Sequence, residues 1–373
     1  MNFRFAILSD PHIALPRTIQ TNPNRFHMVE VSMRALEIVL ERLQALKLDF
    51  LLIPGDLTQD GEPENHRWLA DTLARLPFPV YVVPGNHDVV RLHATENHIG
   101  LDDFPVYYQN FGYDNPEKLY YIQEIFPKVK LIGLNSNQFD ENGKQIGHLD
   151  GEQLLWLKTI LPDLRDDLVL VMIHHNIIEH LPGQSSHELG RRYMLDNAPD
   201  LLTLLQENGV NLLITGHLHI QDIAHSRGIH EITTGSLVSY PHPYRVIEYR
   251  GNTGELHIES FHLKSLPEWE NLAEMSRKWL GDRSYPFMMR LLTTPPLNLP
   301  IEIAEELAPK LRNFWADVAG GDAIFDFVDF PPIARRYFQT FSAIDSRGNP
   351  RLIDNQTVLN LKSGSIVERT RVG

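Results

Sequence analysis

Five short motifs along this chain contain residues whose types and spacing suit metal-assisted chemistry. Each follows an apolar run, and together they offer carboxylates, imidazoles and one amide. In chain order they are Asp10-Pro11-His12, Gly55-Asp56, Gly85-Asn86-His87-Asp88, His174-His175 and Gly216-His217-Leu218-His219. Carboxylate and imidazole donors without a thiolate suit Mn, Fe or Zn. Two such cations can hold a phosphate and generate a hydroxide at neutral pH, so the motifs predict a two-metal phosphoester site.

Two of the motifs repeat a donor at the spacing i and i+2. Residues at this spacing point the same way when the backbone is extended. Asp10 and His12 could therefore face one ion, and so could His217 and His219. An isolated Asp-x-His also occurs at simple turns, so this first motif carries weight only together with the others.

The remaining motifs are informative because of the predicted strands that they follow. A single Gly-Asp is also typical of an Asx turn or a helix N-cap. Here, however, a strand that ends in Pro-Gly followed by a polar cluster occurs at Gly55 and again at Gly85. His174 and His175 are neighbours, and neighbours in a strand face opposite sides. We therefore expect only one of these two histidines to reach the site.

The apolar runs before the motifs predict the elements that position them. The strands predicted from these runs are 3–8, 50–53, 80–83, 129–134, 168–173 and 212–215. The helices predicted between them from apolar spacing are 28–46, 64–76, 149–161 and 198–207. This alternation indicates βαβ units and an α/β fold with parallel pairing. The carboxyl ends of parallel strands share one edge, where α/β proteins bind their ligands.

Three further stretches differ from this alternation. Residues 91–127 are rich in Tyr, Gly, Asn and Pro and read as an insertion that borders the site. Strands are predicted again at 229–233, 244–249 and 256–261, and helices at 266–280, 301–318 and 335–341. The domains predicted are 1–262, a catalytic domain, and 263–373, an extension without catalytic motifs. We expect the extension to pack on the core or to form a homo-oligomer contact.

Composition narrows the classes of partner. The 373 residues include 48 acidic and 34 basic ones, a net charge of −14. Nucleic acid is thus not expected as the main partner, because backbone binding needs a basic face. The chain has no cysteine, which excludes disulfides and thiolate metal sites. No stretch approaches the roughly 20 apolar residues of a membrane span, and the N-terminus lacks a signal-peptide apolar region. We therefore predict a cytoplasmic protein.

The ordered set of motifs closely resembles the calcineurin-like metallophosphoesterase superfamily, over about residues 3–262. The layout is most similar to its bacterial class III cyclic-nucleotide phosphodiesterase and glycerophosphodiesterase branch. The resemblance implies a four-layer α/β/β/α sandwich of two mixed β-sheets. A mainly helical C-terminal extension would follow this sandwich.

The resemblance also implies a set of metal ligands. One metal would be held by Asp10, His12, Asp56 and His219. The other would be held by Asp56, Asn86, His174 and His217, so that Asp56 bridges the two ions.

Two more residues receive catalytic roles from the resemblance. His87 would contact the phosphate and protonate the leaving oxygen, and Asp88 would orient His87. One departure is visible, because relatives often have His-His-Pro-Pro where this chain has His174-His175-Asn176-Ile177. It leaves the ligand set intact but weakens any assignment of substrate within the branch.

The predicted function is hydrolysis of a small anionic phosphodiester, such as a cyclic nucleotide or a glycerophosphodiester. The alternatives are a phosphomonoesterase, a nuclease of the same superfamily, and a non-catalytic scaffold on this fold. A nuclease would need a basic groove, whereas this chain has only pairs such as Arg191-Arg192. A scaffold usually lacks some of the ligands, and none is missing here.

Overall fold

The computed structural model describes residues 1–345, 347–362 and 364–367. Its strands are β1 Asn2–Ile7, β2 Phe50–Ile53, β3 Val80–Val82, β4 Tyr121–Phe126, β5 Val129–Gly133, β6 Asn137–Phe139, β7 Gln145–Gly147, β8 Leu168–Met172, β9 Leu212–Thr215, β10 Asp222–Ser226, β11 Ile229–Thr233, β12 Pro243–Arg250, β13 Glu255–His262, β14 Gln356–Asn360 and β15 Ser365–Val367. Its helices are α1 Ser32–Gln44, α2 Pro63–Leu73, α3 Phe104–Tyr107, α4 Gly151–Ile160, α5 Glu188–Arg191, α6 Ala198–Glu207, α7 Leu272–Thr293, α8 Ile301–Leu307, α9 Phe314–Gly320 and α10 Pro332–Gln339.

The strands form two mixed sheets and a small hairpin. The first sheet has the order β15-β14-β13-β12-β1-β2-β3, and the second has the order β10-β11-β9-β8-β5-β4. In the first sheet β1 and β3 run parallel to β2, whereas β12 pairs antiparallel with β1. In the second sheet β8 runs parallel to both β5 and β9. The hairpin of β6 and β7 stands apart. The prediction of two mixed sheets is confirmed.

Alternation along the strands of the second sheet shows how the layers stack. Leu170 and Met172 of β8 belong to the apolar cluster shared with the first sheet. Val169 and Val171 belong to a second cluster, which contains Leu157 of α4 and several leucines of α6. Successive strand residues point to opposite faces. One face of this sheet therefore covers the first sheet and the other is covered by helices.

The first sheet is covered in a similar way by α1 and α2. Helix α1 buries Leu36, Val39, Leu40 and Leu43, which recur at the three- and four-residue spacing of one helix face. These side chains share a cluster with Phe5 of β1. With helices on the outer side of each sheet, the structure has the predicted α/β/β/α order.

Helix α4 begins at a side-chain cap. Its N-cap is Asp150, whose carboxylate accepts a hydrogen bond from the Gln153 N–H at 2.8 Å. Such a cap satisfies one of the free N–H groups of the first turn and is typically worth about 1 kcal/mol.

The C-terminal region is helical but differs in detail from the prediction. Helix α7 runs on to Thr293 instead of ending at 280, because Met288 and Leu291 continue its buried face. The helix predicted over 301–318 is divided into α8 and α9, with 3₁₀ geometry from Ala308 to Leu311 between them. Pro309 lies in this break and lacks the N–H that an α-helix would use.

Strands β14 and β15 were not predicted. They extend the first sheet beyond β13, so residues 356–367 return to the sheet that β1 belongs to. The apolar cluster of the extension also includes Leu218 and Ile220, which follow β9. The division at residue 262 stays a prediction. Among the helices of the described residues, none has the length and apolar character needed to cross a membrane.

The segment 91–127 was expected to border the site, and its structure differs. It contains α3 and β4, and β4 pairs with β5 at the edge of the second sheet. Tyr108 and Tyr113 are fully buried in the main core instead of facing a cavity. Aromatic side chains bury a large apolar area, and here they bury it in the core.

Candidate metal centre

The five motifs come together at the carboxyl ends of strands from both sheets. Strands β1, β2 and β3 are parallel neighbours in the first sheet, and β8 and β9 are parallel neighbours in the second. The residues that follow these strands are Asp10 and His12 after β1, Asp56 after β2, Asn86 after β3, His174 after β8, and His217 and His219 after β9. Asp10, His12, Asp56 and His174 are buried.

Five of these residues have an unusual backbone. Their φ angles are positive: 48° for Asp10, 42° for His12, 48° for Asp56, 66° for His217 and 58° for His219. A left-handed conformation is uncommon outside glycine, although Asp and His adopt it more readily than most residues. Each such residue costs on the order of 1–3 kcal/mol and persists only where its surroundings hold it. Backbone strain is thus concentrated where the chain leaves the strands.

The first group of donors contains Asp10, His12, Asp56 and His219. His12 Nε2 lies 3.2 Å from His219 Nε2 and 3.6 Å from Asp56 Oδ2. His219 Nε2 lies 3.3 Å from Asp10 Oδ1. One donor atom from each of the four residues falls within 4.8 Å of the others. This set of two carboxylates and two imidazoles fits one cation of the Mn, Fe or Zn type.

The second group contains Asp56, Asn86, His174 and His217. His174 Nε2 lies 3.4 Å from Asp56 Oδ1, 3.3 Å from Asn86 Oδ1 and 3.1 Å from His217 Nδ1. Asp56 therefore offers Oδ1 to this group and Oδ2 to the first. The geometry agrees with a carboxylate placed between two cation positions.

The electrostatics of the cluster also suit cations. Burial lowers the pKa of His12 and of His217 well below the usual range, which keeps both imidazoles in the neutral form that binds metals. Burial alone would also lower the pKa of His174, but Asp56, Asp10 and the Pro54 carbonyl together outweigh it and raise this pKa to about 9. A buried carboxylate needs a compensating positive charge. A protonated His174 or a bound cation would each supply that charge.

The His174 ring is held in the orientation that a metal ligand at this position would require. Its Nδ1 donates a hydrogen bond to the Pro54 carbonyl at 2.8 Å, which leaves Nε2 for the site. Such hydrogen bonds on the far side of a ligating imidazole fix its tautomer. His175 belongs to neither donor group: its Nδ1 lies 2.8 Å from Ser136 Oγ, and its ring packs against that of His217 with centroids 4.4 Å apart. Burial lowers the pKa of His175 to about 3.

The structure assigns Asp88 a different position from the predicted one. Its carboxylate accepts hydrogen bonds from the N–H groups of Thr58 and Gly85, both at 2.8 Å, and so ties two strand-end loops together. The His87 ring is oriented instead by a main-chain group, since its Nδ1 lies 2.6 Å from the Gln59 carbonyl. A carbonyl only accepts, so Nδ1 carries a proton and Nε2 is the nitrogen left for a ligand. Burial raises the pKa of Asp88 to about 7, with a further contribution from Asp56.

Gly85 allows two of these loops to approach closely. A Cβ atom at this position would lie 2.3 Å from both the N and the Oδ1 of Asp56, and 2.8 Å from the His174 ring. The hairpin of β6 and β7 supports the same loop, because Asn137 Nδ2 donates to the Gly85 carbonyl at 3.2 Å. The hairpin was not predicted, although it positions residues that were.

One histidine of the site was missed by sequence reasoning. The His27 ring stacks on His12, with centroids 4.2 Å apart and planes at 19°, and its Nε2 lies 2.8 Å from Gln59 Oε1. It is buried, and together with His12 and His219 it forms a further group of donors within 4.8 Å. His27 lies just before α1 and follows no strand, so no local signal distinguished it from the other histidines.

The departure at Asn176-Ile177 has a structural counterpart. The buried carboxylate of Glu231 accepts hydrogen bonds from the N–H groups of Ile177 at 3.0 Å and Ile178 at 2.6 Å. Asn176 Nδ2 also donates to Glu231, at 3.2 Å. A proline at position 177 would have no N–H to donate. The loop after β8 is thus held by side-chain hydrogen bonds rather than by prolines.

A cavity of about 350 Å³ lies beside the two donor groups. Asp56, His87, His217 and His219 line one side of it. No residue of 91–127 lines it, although that whole segment is described. A larger cavity, of about 710 Å³, lies against Tyr240 and contains none of the candidate ligands.

Comparisons with known proteins agree with this geometry. A probable glycerophosphodiester phosphodiesterase, GpdQ, of Arcobacter nitrofigilis is 32% identical over 177 residues, which are 46% of this chain and 57% of that protein. The 3',5'-cyclic adenosine monophosphate phosphodiesterase CpdA of Escherichia coli K12 is 29% identical over 186 residues, 49% of this chain and 59% of that protein. The chain therefore spans somewhat more than half the length of these curated relatives.

A solved structure supports the fold in the same way. A dimetal phosphatase from Danio rerio has a similar fold, with a TM-score of 0.52 and 15% identity, over 70% of this chain and 96% of that one. The model of the calcineurin-like phosphoesterase family matches residues 3–221, more than half of the chain and the whole range that contains the candidate ligands. The chain belongs to the calcineurin-like phosphoesterase family.

Proposed function

We propose that this protein hydrolyses a small phosphodiester, of the cyclic-nucleotide or glycerophosphodiester type, with the help of two metal ions. The observation that carries the proposal is the pair of donor groups that share Asp56 beside a cavity. The names of the relatives GpdQ and CpdA support the choice of a phosphodiester.

The proposed ligands are those that the two groups contain. The first metal would be held by Asp10, His12, Asp56 and His219, and the second by Asp56, Asn86, His174 and His217. When bound, two cations of the Mn, Fe or Zn type hold a phosphate and supply a hydroxide at neutral pH.

We assign His87 the roles of phosphate contact and proton donor. The Gln59 carbonyl holds its Nδ1, and the ring lines the cavity next to Asp56. In the imidazolium form, Nε2–H donates a hydrogen bond to a phosphate oxygen and then passes its proton to the leaving alcohol oxygen. General acid catalysis of this kind contributes typically about 10²–10⁴-fold. Asp88 acts indirectly, by holding the loops that carry Asp56 and His87.

The decisive experiment measures hydrolysis and metal content together. The purified protein is loaded with Mn²⁺ and assayed with bis(p-nitrophenyl) phosphate, and bound metal is counted by mass spectrometry. We expect about two equivalents in the wild type. Asp56→Asn should lose metal and roughly a thousandfold in kcat/KM, because the several kcal/mol of charge stabilisation is lost.

Asp71→Asn is the matched control, since Asp71 is exposed on α2 and is not part of the cavity lining. It should keep both the metal and the rate. Turnover that survives Asp56→Asn, or a wild type that binds two metals and hydrolyses no phosphoester, would overturn the proposal. Fewer than two equivalents in the wild type would favour a scaffold. A cytoplasmic location and a homo-oligomer stay proposals.

A further inference from the structure

The cavity beside the candidate ligands has two unlike walls. One wall carries Asp56, His87, His217 and His219. A second part of the lining comes from the region after residue 262, which contains no catalytic motif. Its main side chains are Leu280, Phe287 and Leu291 of α7, Trp315 of α9, Tyr337 of α10, and Phe341.

Two sets of aromatic side chains in this region differ in their burial. Phe314, Phe325 and Phe338 are buried and form the apolar core of the extension. Phe287, Trp315, Tyr337 and Phe341, which we call the aromatic wall, are only partly buried and all line the same cavity. Burial of apolar surface is worth about 25 cal/mol of free energy per Å², and surface that stays in water does not gain it. An apolar group that enters the cavity would recover part of this free energy.

The charges of the described cavity lining fit an anion joined to an uncharged group. The lining contains one carboxylate, Asp56, which is a candidate metal ligand, and two guanidinium groups, those of Arg25 and Arg192. A cationic alcohol would therefore find no free carboxylate there. At about 350 Å³, the cavity falls within the range of small-molecule sites.

The buried core of the extension includes a residue of the ligand loop. Leu218, which stands between His217 and His219, belongs to the same apolar cluster as Phe314 and Phe338. The extension is therefore packed against the His217–His219 loop. A group bound to the wall would lie at a defined distance from the phosphate position.

We propose that the C-terminal extension is the specificity element of the enzyme, and that the aromatic wall binds an aromatic ring on the ester while the ligand groups hold the phosphate. This inference rests on the proposed phosphodiesterase function. It names the substrate class as phosphodiesters that carry a planar apolar group, in preference to those of small polar alcohols such as glycerol.

The test compares two esters that release the same p-nitrophenolate: benzyl p-nitrophenyl phosphate and methyl p-nitrophenyl phosphate. Because the leaving group is shared, the ratio of their kcat/KM values reports on the other ester group. We expect the wild type to favour the benzyl ester by about tenfold or more. Phe287→Ala and Phe341→Ala should each lower this ratio about fivefold, as the loss of one ring contact implies. Phe287→Leu should lower it less, because it keeps apolar volume without the ring.

Tyr285→Ala is the matched control. Tyr285 lies on α7 two residues before Phe287, is 45% exposed and does not line the cavity. It should leave the ratio unchanged. Circular dichroism and thermal unfolding of every variant separate a loss of selectivity from a loss of fold. Inhibition by benzyl phosphate, relative to inorganic phosphate, should weaken in parallel in the Phe287 and Phe341 variants.

A wild-type ratio near one, or the same ratio in Phe287→Ala and Tyr285→Ala, would overturn the inference and leave the phosphodiesterase proposal standing. The proposed function itself fails instead if the metal-loaded wild type hydrolyses neither ester.

Discussion

The donor cluster and the aromatic wall line the same cavity, yet they are built in different ways. The donor cluster consists mainly of buried side chains at the ends of five strands, and several have a left-handed backbone. The aromatic wall consists of half-buried rings on three helices and the residues that follow them. The first positions a few atoms closely, and the second offers a broad apolar surface.

This difference implies different tolerance to change. In the donor cluster a shift of about 1 Å moves a reacting group out of place and can cost about a hundredfold in rate. In the aromatic wall, the removal of one ring leaves its neighbours in contact with the ligand and changes affinity by a moderate factor. Substitutions of residues that lie in the donor cluster, or that contact only this cluster, should therefore produce the largest effects on kcat/KM.

Gly85→Ala should produce the largest effect of the substitutions that remove no functional group. The new Cβ would meet the main chain and the carboxylate of Asp56 at 2.3 Å, so the loop must move. We expect weaker metal binding and a loss of roughly a hundredfold in kcat/KM. Gly151→Ala is the control, because open space surrounds that position. Equal metal content and rate in the two variants would show that the close approach at Gly85 is dispensable.

His87→Ala should have the next largest effect, and the effect should depend on the leaving group. We expect a loss of about 10²–10⁴-fold for an ester with an unactivated alcohol, which needs a proton, and a smaller loss for a p-nitrophenyl ester. Metal content should stay at the wild-type level, since His87 belongs to neither ligand group. His93→Ala, at an exposed position, is the control. The same loss for both esters would contradict the role of His87 as proton donor.

His180→Gln should have the smallest effect on catalysis and a visible effect on stability. His180 is buried, with Nδ1 2.6 Å from Asp222 Oδ2 and Nε2 3.0 Å from Glu231 Oε1. Burial lowers its pKa, but the two carboxylates outweigh it and raise the pKa to about 10. A raised pKa in the folded state stabilises the fold fully below about pH 6.5, the unfolded value, and the stabilisation is lost as the pH rises towards 10.

The free energy of unfolding should therefore fall more steeply between pH 7 and about pH 10 in the wild type than in His180→Gln. Urea unfolding at several pH values measures this difference. Parallel curves would mean that His180 is not charged in the folded protein. Because His180 supports Glu231 and the loop after β8 from behind, kcat/KM should change only a few-fold, far less than for Gly85→Ala.

Much of the donor cluster was predictable from sequence because its signals are local. An apolar run that ends in Pro-Gly, followed by Asp56 or Asn86, marks a strand and its end within a few residues. Parallel strands then place such ends at one edge of a sheet. The structure adds that these residues form two groups of donors, and that both groups include Asp56. Their roles as ligands stay predictions.

The features that the sequence did not reveal all depend on contacts between distant segments. His27 reaches His12 only through the loop before α1, and Asp88 turns to Thr58 and Gly85 rather than to His87. Judged from the neighbouring sequence alone, His87 was a reasonable partner to predict for Asp88. The choice among hydrogen-bond partners depends on which groups folding leaves nearby and unsatisfied.

By itself, the sequence determined the α/β class, the strand ends and the residue types of a metal site, because hydrophobic periodicity and turn residues act over short distances. Only the tertiary structure decided which surface faces those residues. Strand β14 returns the chain to the first sheet, and Phe287, Trp315, Tyr337 and Phe341 meet across long stretches of sequence to form one wall. Apolar burial is non-directional, so the sequence does not show which apolar side chains will contact one another. The wall can therefore be identified only in the folded structure.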